Sequence, residues 1–128
     1  MTRVYGSSRE DRLAGADVLI AGLFSGRQKD CEAVIEATTV LVTARGGRVL
    51  GRVVQRRGVS DGGVAAMTRP YSRQTLLTAG KVREIALRCS TDRIAAVVFV
   101  NALTDHQRLI LEGRFGCAVL SRTELERT

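Results

Sequence analysis

The sequence contains no tryptophan, one proline and one histidine, with two tyrosines and three phenylalanines among 128 residues. So few rings oblige any folded core to be aliphatic, built from Val, Leu, Ile and Ala. A lone His106 leaves no second imidazole for a histidine-based metal site or a catalytic triad, and it reads as a cap or surface residue. The three cysteines, at positions 31, 89 and 117, match no zinc spacing, and their odd number argues against a disulfide framework. They read as reduced thiols packed in the interior. The longest strongly apolar run, IAAVVFVNAL at 94–103, is too short to cross a bilayer, and the N-terminus has no secretory apolar stretch. The expectation is a cytoplasmic protein with no membrane partner, no metal and no cofactor.

Acid is scarce in one place. Between Arg45 and Arg83 nine basic residues face a single acid, Asp61, a balance of +8, whereas the chain as a whole carries +7. The excess positive charge therefore sits in one stretch. Of the 20 cations 18 are arginine, the side chain best shaped for two-pronged contact with phosphate. Such a distribution predicts a polyanionic partner. Tyr71, between Arg69 and Arg73, is the one ring interleaved with these cations as a platform for a stacked base.

The stretch LLTAGKVREI, 76–85, tests whether that partner is a nucleotide. A phosphate-binding loop reads G-x-x-x-x-G-K-[ST], but the first glycine position falls on Thr75 and Lys81 is followed by Val82. The loop glycine and the metal-binding hydroxyl are both missing, so the P-loop is excluded. A glycine at the start of a helix then reads as backbone freedom, and Lys81 as a cation facing an anion despite the opposing helix dipole.

Apolar runs and helical periodicities alternate along the chain. DVLIAGLFS (17–25) reads as a buried strand, 28–47 as a helix with its apolar face at 31, 34, 35, 38, 41 and 42, and RVLGRVVQRR (48–57) as a second strand. After a glycine-rich loop at 58–72 come a helix over 80–90, a strand at 93–100, a helix over 106–116 with Leu109, Ile110 and Phe115 inward, and a strand at 117–121. This predicts an α/β fold, a four-stranded mostly parallel sheet with helices on both faces and strand order 2-1-3-4. A flexible segment is expected at 1–15 and a single domain over 16–128. The carboxyl ends of parallel strands share one edge, where open α/β folds bind ligands. That edge gathers Ser25, Gly26, Arg27, Lys29, Gln55, Arg56, Arg57, Asn101, Ser121, Arg122 and Thr123, with five cations and no carboxylate among them. No nucleophile with an adjacent base appears there, so the reading is of a protein that is not an enzyme.

ADVLIAG, GRVLGRVVQRR, LLTAGKVREI, VVFVNALTDHQRLILE and CAVLSRTEL follow in an order that resembles the N-terminal domain of HflX-type ribosome-associated GTPases. The positions that carry the resemblance are Val54, Gln55, Leu77, Gly80, Lys81, Glu84, Ile85, Phe99, Leu103, Thr104, Gln107, Glu112, Arg122 and Thr123. Departures fall at Leu76, Thr78, Val100, Asn101 and Ser121, where the family has Tyr, Gly, an acidic pair and Asp. The resemblance implies the module standing alone, without the helical pair and GTPase domain that follow it in the family, and hence no GTP hydrolysis. Its implied partner is the ribosome or ribosomal RNA. The candidate RNA or phosphate contacts are Arg27, Lys29, Arg52, Gln55, Arg56, Arg57, Arg69, Arg73, Lys81 and Arg122. An alternative is a small nucleotide- or phosphometabolite-binding domain using Ser25, Gly26, Gly80, Lys81, Asn101 and Thr123. A further alternative is a protein–protein adaptor, as a homodimer or on a related full-length GTPase.

Overall fold

The computed structural model describes residues 13–57 and 75–126. Strand β1 (Asp17–Ser25) leads through helix α1 (Cys31–Ala44) to β2 (Arg48–Arg57), and α2 (Ala79–Thr91) leads to β3 (Ala96–Phe99). Helix α3 (Asp105–Phe115), β4 (Ala118–Ser121) and the short α4 (Arg122–Glu126) complete the order. The four strands form one sheet in the order β2-β1-β3-β4, and every neighbouring pair is parallel. Order and parallel pairing agree with the sequence expectation. β1 is the longest central strand because its apolar run is uninterrupted, and both of its faces are covered.

The pleat divides the core into two layers. Val18, Ile20 and Phe24 of β1, with Val98 and Leu120, pack on the side of α1 and α4 against Ile35, Val42 and Leu125. Leu19 and Ala21, with Val53, Val97, Phe99 and Val119, meet Val82, Ile85, Leu111 and Phe115 of α2 and α3. Helices on both faces follow from the strand order. The chain steps one way along the sheet from β1 to β2 and the other way from β2 to β3 and β4, and right-handed crossovers then place α1 opposite α2 and α3.

Two expectations change. Leu109 is 61% exposed, and the inward apolar positions on α3 are Leu111, fully buried, and Phe115. Gln107 and Arg108 occupy the rest of the buried stripe, and these two polar side chains hid its true phase from a hydrophobicity pattern. Leu13 is also fully buried in the core. Finally, β3 and β4 are shorter than the apolar runs that contain them, because Ile94 and Cys117 pack from the turns that lead into them.

Candidate functional site

Ser25 and Arg57 are register partners at the carboxyl ends of β1 and β2. From there the chain turns sharply toward α1: the Gln28 N–H donates to the Ser25 carbonyl (3.1 Å) and the Arg27 N–H to Ser25 Oγ (3.2 Å). Arg56 reaches across to this turn. Its Nη2 donates to the Gln28 carbonyl at 2.9 Å, and its Nη1 to the same oxygen at 3.2 Å and to the Gly26 carbonyl at 3.5 Å. One guanidinium thus holds the loop that presents Arg27 and Lys29. Both of these are exposed and, among the described residues, neither forms an ion pair. Arg27, Lys29 and Arg56 bring three cations to the loop at this edge.

The remaining cations are distributed differently from the single basic face that the charge count predicted. Arg48 opens β2 and pairs with Asp17 at 2.5 Å, at the amino end of the sheet. Nine strand steps of about 3.3 Å set it roughly 30 Å from Arg57. Arg45 donates to the Leu125 carbonyl. Arg52 pairs with Glu32 of α1 at 2.7 Å, and that hydrogen bond raises the already high pKa of the guanidinium. Lys81 pairs with Glu84 at 3.0 Å, and Arg122 lies 3.5 Å from Glu126. Alternation along β2 also puts Arg52 and Arg56 on the α1 side but Gln55 on the α2 side. Carboxylates three to thirty-one residues away in sequence, brought close by helix geometry and sheet packing, account for the difference. Arg69, Arg73 and Tyr71 lie outside the described residues.

The Gly-Lys turn proves to be a capping device. Thr78 is the N-cap of α2, its Oγ1 accepting from the Lys81 N–H at 3.2 Å. Gln55 anchors the cap from β2: its Oε1 accepts from the Thr78 N–H at 3.0 Å, and its Nε2 donates to Thr78 Oγ1 at 3.1 Å. Gly80 has ordinary helical backbone and open space where a Cβ would stand, so it supplies no special conformational freedom. The left-handed residue of this turn is Leu76, with φ of 74°.

The crevice between the carboxyl ends of β1 and β3 is where a sheet of this order offers a ligand site. Here Asn101 bridges it. Its Oδ1 accepts from the Leu23 N–H at 2.8 Å and its Nδ2 donates to the Leu23 carbonyl at 3.0 Å, so the side-chain amide continues the ladder that β3 has left. Val100 closes over Gly22, where any Cβ would collide with Val100 Cγ2. Of the six residues named for a nucleotide, Ser25 ends β1 and Gly26 follows it, Gly80 and Lys81 lie in the first turn of α2, Asn101 is engaged with β1, and Thr123 lines a cleft between the β3 and β4 ends. That cleft, about 230 Å³, also holds Asp105, Arg108 and Glu124, and it is smaller than the roughly 300 Å³ at which small-molecule sites begin.

Sequence reasoning missed Arg108. It is 8% exposed, with Nη1 3.1 Å from Asp105 and 3.9 Å from Glu124. The available signal was its position three residues after Asp105 and three before Leu111, on the stripe that faces inward. No helix among the described residues is long and apolar enough to cross a membrane.

No individually curated protein matches the sequence closely. A family model does: residues 32–125 match the GTP-binding GTPase N-terminal domain. That span takes in α1 from its second residue, the whole sheet except β1, the Gln55–Thr78 device and Asn101 itself. The chain belongs to the N-terminal domain family of HflX-type GTP-binding proteins.

Proposed function

We propose that this domain is a non-catalytic module that binds ribosomal RNA through the carboxyl end of β1 and β2. The observation that carries the reading is the group formed by Arg27, Lys29 and Arg56, in which Arg56 fixes the loop beneath two exposed cations that form no ion pair among the described residues. Phosphate contact asks for such an arrangement: cations displayed on backbone that is already ordered, so that little freedom is lost on binding. Arg52, Lys81 and Arg122 contribute less, because Glu32, Glu84 and Glu126 already neutralise them. Family membership adds that domains of this kind accompany a GTPase, and the resemblance to ribosome-associated members makes ribosomal RNA the first ligand to try.

The role is one of contact. The edge offers cations, hydroxyls and amides, and the Ser121 hydroxyl, 3.5 Å from the Glu124 carboxylate, is 4% exposed and accepts from the Glu124 N–H at the start of α4. The test is a titration of ribosomal RNA fragments at several salt concentrations, alongside calorimetry with ATP, GTP and a phosphosugar. The expected result is RNA binding that weakens steeply with salt and no heat from the small ligands. Salt-independent binding, or RNA binding whose strength and salt dependence are unchanged by loss of the β1–α1 loop cations, overturns the reading.

A further inference from the structure

The two thiols at the base of the α2–α3 layer have no part in the surface just described. Cys89 lies near the end of α2 and Cys117 immediately precedes β4, yet their sulfur atoms are 3.9 Å apart. Cys89 is 5% exposed and belongs to the core of this layer, and Cys117 packs against it from a half-buried position. We propose that Cys89 and Cys117 are the two halves of a reversible intramolecular disulfide, formed by small hydroperoxides.

Geometry supplies the first argument. A disulfide needs sulfurs about 2.05 Å apart, so the pair has to close by less than 2 Å. Cys117 follows Gly116, the left-handed C-cap of α3 with φ of 73°, and so stands in a turn. A turn adjusts more readily than two facing helices would. Cys31 provides an internal contrast. It sits at the first turn of α1, packs with the opposite layer, and donates to the Gln28 carbonyl at 3.5 Å. The sheet stands between it and the other two thiols.

The chemistry is asymmetric in a useful way. Cys117 donates its S–H to Cys89. That hydrogen bond lowers the pKa of Cys89 against the opposing effect of burial, with nearby Arg88 assisting, and it raises the pKa of Cys117, where burial adds to it. Cys89 is the better nucleophile and Cys117 the resolving thiol. In the first step the Cys89 thiolate attacks a hydroperoxide oxygen. An S–O bond forms, the O–O bond breaks, and the departing alkoxide or hydroxide takes up a proton, leaving a sulfenic acid. In the second, Cys117 sulfur attacks that sulfur as its proton passes to the leaving oxygen, so an S–S bond forms and water departs. Two thiols lose two electrons and the hydroperoxide gains them. Burial of Cys89 restricts the oxidant to small molecules, and an external dithiol reverses the reaction by exchange.

The bond would tie the end of α2 to the start of β4, 28 positions apart in sequence, across the segment that contains β3 and α3. Cross-links of such loops stabilise by restricting the unfolded chain. The experiment uses the full chain, treated with hydrogen peroxide and then alkylated with iodoacetamide in denaturant. The expected intact mass shows one alkylated thiol in place of three, with a non-reduced peptide joining 89 to 117, and dithiothreitol restores all three. The oxidised chain melts several degrees higher than the reduced one. Cys31→Ser preserves the cross-link and Cys117→Ser abolishes it. Three alkylated thiols after oxidation, a sulfinic acid at Cys89, or cross-linking through Cys31 each overturn the proposal, and these wild-type readouts require no variant to fold.

Discussion

Arg27 and Lys29 together offer the most direct perturbation of the proposed RNA contact. Both are exposed on the β1–α1 loop, and neither has an ion pair among the described residues. Their double replacement by alanine should therefore change stability by less than about 0.5 kcal/mol. Its effect on binding is calculable. If the loop cations and the end of β2 make about four phosphate contacts, the slope of log K against log salt is about −2.8 to −3.6. Raising salt from about 50 to 200 mM then weakens the wild type roughly 50- to 150-fold. With two contacts removed, the same change weakens the variant only about 7- to 12-fold. The assay is filter binding or fluorescence anisotropy with a labelled ribosomal RNA fragment at five or more salt concentrations, with a thermal melt of each protein as control. Equal slopes for wild type and variant refute the assignment of these residues, and a wild-type slope near zero refutes phosphate contact altogether.

Four other outcomes follow from particular contacts. Arg56→Lys keeps the charge but loses the forked grip on the Gln28 carbonyl, so it should weaken RNA binding at fixed salt by several-fold while leaving the salt slope nearly unchanged; Arg56→Gln should lower both. Asn101→Ala exposes the unmet Leu23 N–H and carbonyl in a part-buried crevice and should cost about 2–4 kcal/mol by urea denaturation. Leu109→Ala should be nearly silent in the same assay, whereas Leu111→Ala should cost about 2–5 kcal/mol, because only the latter opens a cavity. Thr104→Ala removes the box in which Thr104 accepts from the Gln107 N–H at 3.0 Å and Gln107 accepts from the Thr104 N–H at 2.9 Å, and it should cost about 1 kcal/mol.

The strands were legible because each buried strand is a nearly unbroken apolar run, and the alternation with helices left few ways to order them. Helix α1 was legible for a similar reason, since Ile35, Thr38 and Val42 recur at its period. Helix α3 was read out of phase because two of its buried positions, Gln107 and Arg108, are polar, and a hydrophobic pattern cannot see a polar side chain that is buried. The site was harder still. A count along the chain recorded nine cations against one acid between 45 and 83, but Glu32 lies before that window and reaches Arg52 only through the packing of α1 on β2. Charge in sequence and charge in space diverge whenever a helix folds back over the strand that follows it.

The closed crevice and the open loop belong to one design. In a sheet of order 2-1-3-4 the loops leaving β1 and β3 part to opposite faces, and the gap between them is the natural seat of a phosphate. In this chain Asn101 fills that gap with a side-chain amide matched to both backbone groups of Leu23, and Val100 lies where Gly22 leaves no room for a side chain. A ligand entering there would have to break two hydrogen bonds in a part-buried site without offering the same geometry in return. Cations that meet a polyanion must then stand on the outer side of the edge. The β1–α1 loop is there, with Arg56 beneath it, and the Arg108 cluster lines a separate cleft between the β3 and β4 ends. Tightening the crevice and displaying the loop therefore both favour an extended partner over a small one, because only a polymer can bridge cations spread along the rim.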